Sequence, residues 1–272
     1  ALDLRDPAER LLGRVLRRQA EAVPDAPFVL SDDRRWSYAE ANALANAWAR
    51  GLREQGVRRG DTVAFLLRSS ADFIFATFGA MKLGAIWVPT NVDYKGVWLR
   101  ESLEDSRARV LVVEADLLPR VAEVAAGLPI ERVIVRGEEA SSSGLPMLRL
   151  EELVEKPGPE PADPGIGYGD TAAVLWTSGT TGRSKGVMQS HNAWIRAALS
   201  GAGNSGARAG DVMYCCLPMY NSAAWSAQVY RALVTGLPVG VDAAFSVHSF
   251  WDRCRHYGAT QVFTLGAMHV YL

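Results

Sequence analysis

"TAAVLWTSGTTGRSKGVMQSH", residues 171–191, runs from a six-residue apolar strand pattern into hydroxyls, glycines and cations, then out through an apolar "GVM". Thr177, Ser178, Thr180, Thr181 and Ser184 stand among Gly179, Gly182 and Gly186, with Arg183 and Lys185 interleaved. Glycines let backbone N–H groups approach an anion closely, hydroxyls donate further hydrogen bonds, and the two cations supply charge. These residue types make a phosphate cradle at the exit of a strand. A flexible linker can share the composition, but apolar segments frame this stretch on both sides. A Walker A loop needs Gly before the Lys and a hydroxyl after it. Here Ser184 precedes Lys185 and Gly186 comes after it, and no helix pattern begins directly after the lysine. The Rossmann GxGxxG is also missing from the first strand-to-helix turns.

Upstream, "TVAFLLR" (62–68), "AIWVP" (85–89), "RVLVVEA" (109–115) and "RVIVR" (132–136) are strand-length apolar runs separated by helical patterns. Downstream, "DVMYCCL" (211–217), "LPVGVDA" (237–243) and "TQVFTL" (260–265) alternate with helices expected from Asn192, over 222–234 and over 247–257. This alternation predicts an α/β fold with mostly parallel sheets flanked by helices. Ser37 with Glu40 forms a capping box for a helix reaching Glu54, with Ala41, Leu44, Ala45, Trp48 and Leu52 on one face. A second helix is expected over 71–83, ending at Gly84. "EKPGPEPADPGIGYGD" (155–170) continues neither helix nor strand. It divides the chain into two packed layered subdomains, 1–160 and 161–272.

The 272 residues carry 29 Lys plus Arg against 30 Asp plus Glu, so no basic excess points to nucleic acid. Three cysteines without metal-ligand spacing fit a reducing cytoplasm. "FIFATFGAMKLGAIWVP" (73–89) contains Lys82 and two glycines, falls short of about 20 spanning residues, and reads as a buried helix followed by a buried strand. The first 20 residues lack the apolar core of a signal peptide.

"WTSGTTGRSKGV" (176–187) resembles the phosphate-loop signature of the adenylate-forming superfamily of acyl-CoA ligases, peptide-synthetase adenylation domains and luciferases. "RWSYAEANALANAWARGL" (35–52), "FGAMKLGAIWVPTN" (78–91) and "CLPMYNSAAW" (216–225) resemble further family segments in the same order. "GAIWVPTN" and "FWDRCRHYGATQVFTLGAM" are more similar to acyl-CoA ligases, including the crotonobetaine/carnitine and fatty-acid types. The resemblance implies the N-terminal domain of such an enzyme, incomplete here. A carboxylate would attack the α-phosphate of ATP, and a thiol, usually of coenzyme A, would then displace AMP. ATP, Mg2+ and coenzyme A are the implied cofactors, a carboxylic acid and coenzyme A the partners, and a homodimer is compatible with the reading.

By that resemblance Thr177, Ser178, Gly179, Thr180, Thr181, Gly182 and Lys185 bind the ATP phosphates, and Thr177 is also the hydroxyl nearest the metal. Tyr220, Asn221, Trp225 and Gly266 are assigned to the acyl pocket. Trp225 reads equally as core, and Gly266 equally as a helix-initiating turn. His191 is expected to start a helix or pack, and Asp170 and Asp211 to begin strands. Two positions depart from the family: Ser184 stands where proline is frequent, and Asn221 where a histidine often follows the aromatic residue. Later family motifs, including the catalytic lysine of a C-terminal domain, do not occur in these residues. The chain is accordingly expected to be a portion unable to complete adenylation alone. A non-catalytic nucleotide-binding module and an adenylation domain serving a carrier protein are the alternative readings.

Overall fold

The computed structural model describes residues 3–32, 34–138, 144–156, 158–177 and 184–272. At its centre lie two helices whose ends are set by local chemistry. The Ser37 hydroxyl accepts the Glu40 N–H at the start of α2 (Tyr38–Glu54), and the Glu40 carboxylate accepts the Ser37 N–H. Two donors that a helix start would leave orphaned are thereby satisfied. Ser37→Ala should cost about 1 kcal/mol, measured as a lower urea midpoint with an unchanged slope.

Helix α3 (Ala71–Lys82) is capped by Ser70, whose hydroxyl accepts the Phe73 N–H, and stops where Gly84 takes φ +70°. Every α3 residue except Asp72 is buried. A helix apolar on all sides must be enclosed on all sides. Phe73 meets Phe65 and Trp87, whereas Phe78 meets Phe28 and Tyr230. Residues 73–89 are thus a buried helix running into buried strand β4 (Ile86–Pro89). No helix among the described residues is long and apolar enough to cross a membrane.

In chain order the remaining elements are α1 (Leu12–Ala22), β1 (Pro27–Leu30), β2 (Arg35–Ser37), β3 (Thr62–Leu66), α4 (Gly96–Ser106), β5 (Val110–Glu114), α5 (Leu118–Val124), β6 (Arg132–Arg136), β7 (Met147–Arg149) and α6 (Leu150–Val154). They continue with β8 (Thr171–Trp176), β9 (Gly186–Ser190), α7 (His191–Ser205), β10 (Met213–Cys215), α8 (Ser222–Ala224), a π-helical turn Trp225–Val229, and α9 (Tyr230–Thr235). Last come β11 (Val239–Val241), α10 (Phe250–Tyr257), β12 (Gln261–Val262) and α11 (Gly266–His269).

A seven-stranded sheet runs β7-β6-β5-β3-β4-β8-β9 and is parallel except for the β8–β9 hairpin. Its central strands are buried on both faces, as parallel strands covered by helices must be. Val63, Phe65, Val112 and Ile134 face α2 and α3, while Ala64, Leu66, Leu111 and Val113 meet Leu99 and Leu103 of α4 and Val121 of α5. A five-stranded sheet runs β12-β10-β11-β1-β2, antiparallel only at β1–β2. Tyr38 ties α2 to it, its hydroxyl 3.0 Å from the carbonyls of Ala232 and Leu237.

Both sheets draw strands from either side of residue 160, so a division at that point does not coincide with the layers. The strands expected over 211–217, 237–243 and 260–265 contract to Met213–Cys215, Val239–Val241 and Gln261–Val262. The helix expected from 247 begins at Phe250. At 211–217 the chain turns away from the ladder early because its next residues bind the end of the other sheet.

Candidate functional site

Strand β8 carries the chain to Thr177, and β9 returns it antiparallel from Gly186, with Trp176 opposite Gly186. The mouth is closed by backbone and hydroxyl together. Thr177 N–H donates to the Lys185 carbonyl at 3.0 Å, and Lys185 N–H donates to Thr177 Oγ1 at 3.2 Å. Thr177 and Lys185 are exposed and Ser184 is half-buried. Ser178, Gly179, Thr180, Thr181 and Gly182 lie outside the described residues. The loop leads into a strand rather than a helix, which separates this turn from a Walker A loop in architecture as well as in sequence. Val174, Trp176, Ser184, Lys185 and Gly186 line an open depression whose far side is Asp105 and Arg107. Arg107 terminates α4 in the left-handed conformation, φ 53°.

The loops at the carboxyl ends of β3, β4 and β10 meet one another, through Ser69 with Met219 and through Asp93 and Tyr94 with Tyr220, and carboxyl ends are the usual position for a ligand crevice in such sheets. Ser69, just beyond β3, is buried and joins the two sheets. Its Oγ accepts the Met219 N–H at 3.0 Å and lies 3.4 Å from the Leu217 carbonyl. Sequence reading misses Ser69 because a serine between a strand and a helix reads only as a cap. Tyr220 is half-buried beside Asp93 and Tyr94, and burial first, then those neighbours, push its phenol pKa up. Asn221 is exposed at the start of α8.

Trp225 is fully buried, its indole N–H donating to the Met219 carbonyl at 2.6 Å, and it packs on Phe73, Trp87 and Tyr230. Among the described residues it is a core residue adjoining the site. Gly266 is exposed as the first residue of α11. Gln228 links that segment to the π-helical turn, its Nε2 donating to the carbonyls of Tyr214 and Phe263 at 2.7 and 3.2 Å. Tyr220, Asn221 and Trp225 therefore lie within two consecutive turns, with Gly266 on the segment that Gln228 ties to them.

His191 starts α7 and is 1% exposed. Its Nδ1 accepts the Leu12 N–H at 3.3 Å, so the neutral ring carries its proton on Nε2. Burial lowers its pKa to about 4, against a smaller opposing pull from Asp170. That environment excludes an imidazolium and fits the packing role. Asp170 and Asp211 lie just ahead of β8 and β10. Cys215, Cys216 and Cys254 are free and buried, and burial raises all three thiols, Cys216 to about 12.

No group of three or more His, Cys, Asp or Glu among the described residues could hold a metal ion. The exposed Thr177 hydroxyl would offer a single oxygen donor, which fits a cation such as Mg2+ that takes most of its ligands from phosphates and water. An exposed lysine at the same mouth suits the phosphates themselves.

The family model described as "AMP-binding enzyme" matches residues 16–272. The medium/long-chain-fatty-acid–CoA ligase FadD6 of Mycobacterium tuberculosis is 32% identical over 268 residues, covering 96% of this chain and 43% of its own length. The crotonobetaine/carnitine–CoA ligase of Salmonella paratyphi A is 30% identical over 229 residues, covering 84% of this chain and 44% of its own. A crystal structure of a long-chain-fatty-acid–CoA ligase, FadD1 of Archaeoglobus fulgidus, superposes with a TM-score of 0.84 at 25% identity, over 96% of this chain and 53% of that one. The chain thus spans less than half the length of these two curated relatives. With the family model covering all but the first fifteen residues, this chain belongs to the AMP-binding enzymes.

Proposed function

We propose that this chain is the phosphate-gripping part of an AMP-forming acid–thiol ligase. A carboxylate and ATP give an acyl-adenylate and pyrophosphate, and coenzyme A then takes the acyl group and releases AMP. The observation that carries the reading is the Thr177–Lys185 mouth, where three hydrogen bonds join the two ends of a hydroxyl-rich segment at the exit of a strand. An anionic nucleophile approaching a polyanion is opposed by charge, so positioning and neutralisation must do most of the work. Lys185 is exposed at the mouth and can neutralise a departing phosphate. Thr177, held by Lys185 N–H, presents its hydroxyl just beyond the end of β8. Bound Mg2+ would spread the charge of the phosphate oxygens, with Thr177 as its protein ligand. Three free, buried thiols are compatible with the reducing cytoplasm as the compartment of the reaction.

The test is ATP–pyrophosphate exchange by the complete protein against a panel of carboxylic acids of increasing chain length. Lys185→Ala and Thr177→Ala should each lower kcat/KM for ATP by roughly tenfold, Lys185→Ala without changing the thermal midpoint. Exchange that is absent with every acid, or indifferent to both substitutions, overturns the assignment. Replacing coenzyme A with a phosphopantetheinylated carrier protein in the second half-reaction identifies the thiol acceptor.

A further inference from the structure

The hairpin that carries the loop forms the edge of its sheet and joins it through β4. Strand β8 shares one register pair with β4, Trp87 with Ala173, whereas β3 and β5 share four and β5 and β6 share five. The contacts that hold its root add to that pairing in setting its orientation. Residues 158–170 reach β8 without helix or strand and cross α1, α2 and α3 as a strap. Glu160 Oε1 pairs with Lys82 Nζ at 2.5 Å, and its Oε2 accepts Asn42 Nδ2 at 3.2 Å. Asp163 pairs with Arg14 at 2.9 Å, and Asp170 with Arg59 at 3.6 Å. The other leg docks beside it: Asp170 and Tyr168 carbonyls accept the His191 and Asn192 N–H groups, and Asn192 Oδ1 accepts from Arg10.

These anchors differ in one physical respect. Arg14–Asp163 and Arg59–Asp170 are open to water, where an ion pair contributes little. The Lys82 side chain is 2% exposed, so its ammonium lacks water as an alternative partner and is committed to Glu160. Its stem is gripped as well, because Gly13 of α1 lies so close that a Cβ there would come within 3.0 Å of Lys82 Cγ.

We propose that Lys82 is a positioning residue for the phosphate loop: through Glu160 it fixes the strap 158–170, and with it the strand that presents Thr177. The kinetic part of this inference rests on the ligase reading above; the structural part does not. In the complete protein, Lys82→Met and Glu160→Gln should accelerate amide hydrogen exchange across 171–190 and raise the KM for ATP by roughly fivefold, with the KM for the carboxylate within about twofold. Glu160→Asp, which keeps the charge at the more accessible end, should restore most of both. Asp163→Asn, at an exposed pair on the same strap, should leave both near wild type. If Lys82→Met does not fold, Glu160→Gln carries the same comparison. Lower thermal midpoints with unaltered hairpin exchange and unaltered ATP KM would show a merely stabilising pair and overturn the proposal. If the complete protein performs no ATP–pyrophosphate exchange, the ligase reading fails, and hairpin exchange alone decides whether Lys82 positions the loop.

Discussion

Trp225→Ala is expected to lower folding stability by about 4 kcal/mol, near the upper end of what a single core truncation costs. The side chain is fully enclosed by Phe73, Trp87 and Tyr230, so truncation opens a cavity that rigid aromatic neighbours cannot refill. It also strands the Met219 carbonyl, which accepts the indole N–H at 2.6 Å. An unpaired buried acceptor adds a cost of about 1 kcal/mol or more to the packing loss. Trp225→Phe separates the two contributions, since it keeps most of the packing and removes only the donor. Urea unfolding followed by far-ultraviolet circular dichroism measures both. Equal losses for the two variants would place the whole effect in the hydrogen bond and refute the cavity account.

Acidification should weaken the fold well before the general titration of carboxylates, through His191. Its folded pKa of about 4 lies below the ordinary 6.5, so the unfolded chain binds the proton more readily. The stabilisation is complete above pH 6.5, declines as pH falls below it, and is gone below about pH 4. The full span amounts to roughly 3 kcal/mol, of which about 2 kcal/mol disappears between about pH 7 and pH 5. The physical event is charging a buried ring whose Nδ1 must stop accepting the Leu12 N–H. His191→Asn keeps an acceptor near that amide and cannot titrate, so its urea midpoint should vary much less over the same interval. A variant with the wild-type pH dependence there would assign the acid lability elsewhere.

Local signals are legible in this sequence and distant partnerships are not. The capping box at Ser37 and Glu40 and the Gly84 stop locate α2 and α3 closely, because caps and left-handed turns depend on a few neighbouring residues. "TAAVLW" reads as a strand with the bounds it has, since apolar β-forming residues end there against a polar turn. Strands β1 and β2 escape a reading of the sequence. They are short, and their place is set by Val239 and Gly240 far along the chain. The seven-residue pattern at 211–217 overstates β10, because Leu217 and Met219 are drawn to Ser69 of the other sheet. At the site, composition singles out Thr177 and Lys185, but their mutual hydrogen bonds cannot be read from it. Lys82 stands out in the sequence as a charge interrupting an apolar run. Its partner Glu160 sits in a proline-rich stretch that reads only as a boundary.

The interleaving of the two sheets bears on how the polypeptide is made. While the nascent chain leaves the ribosome, β3 to β6 and the β1–β2 hairpin can assemble from nearly adjacent segments, but that hairpin must wait for Val239 before it joins the rest of its sheet. Until then the apolar Phe28 and Val29 have β2 and the helices but not β11 to shelter against, and this interval of synthesis is when the newborn protein is most in need of a chaperone.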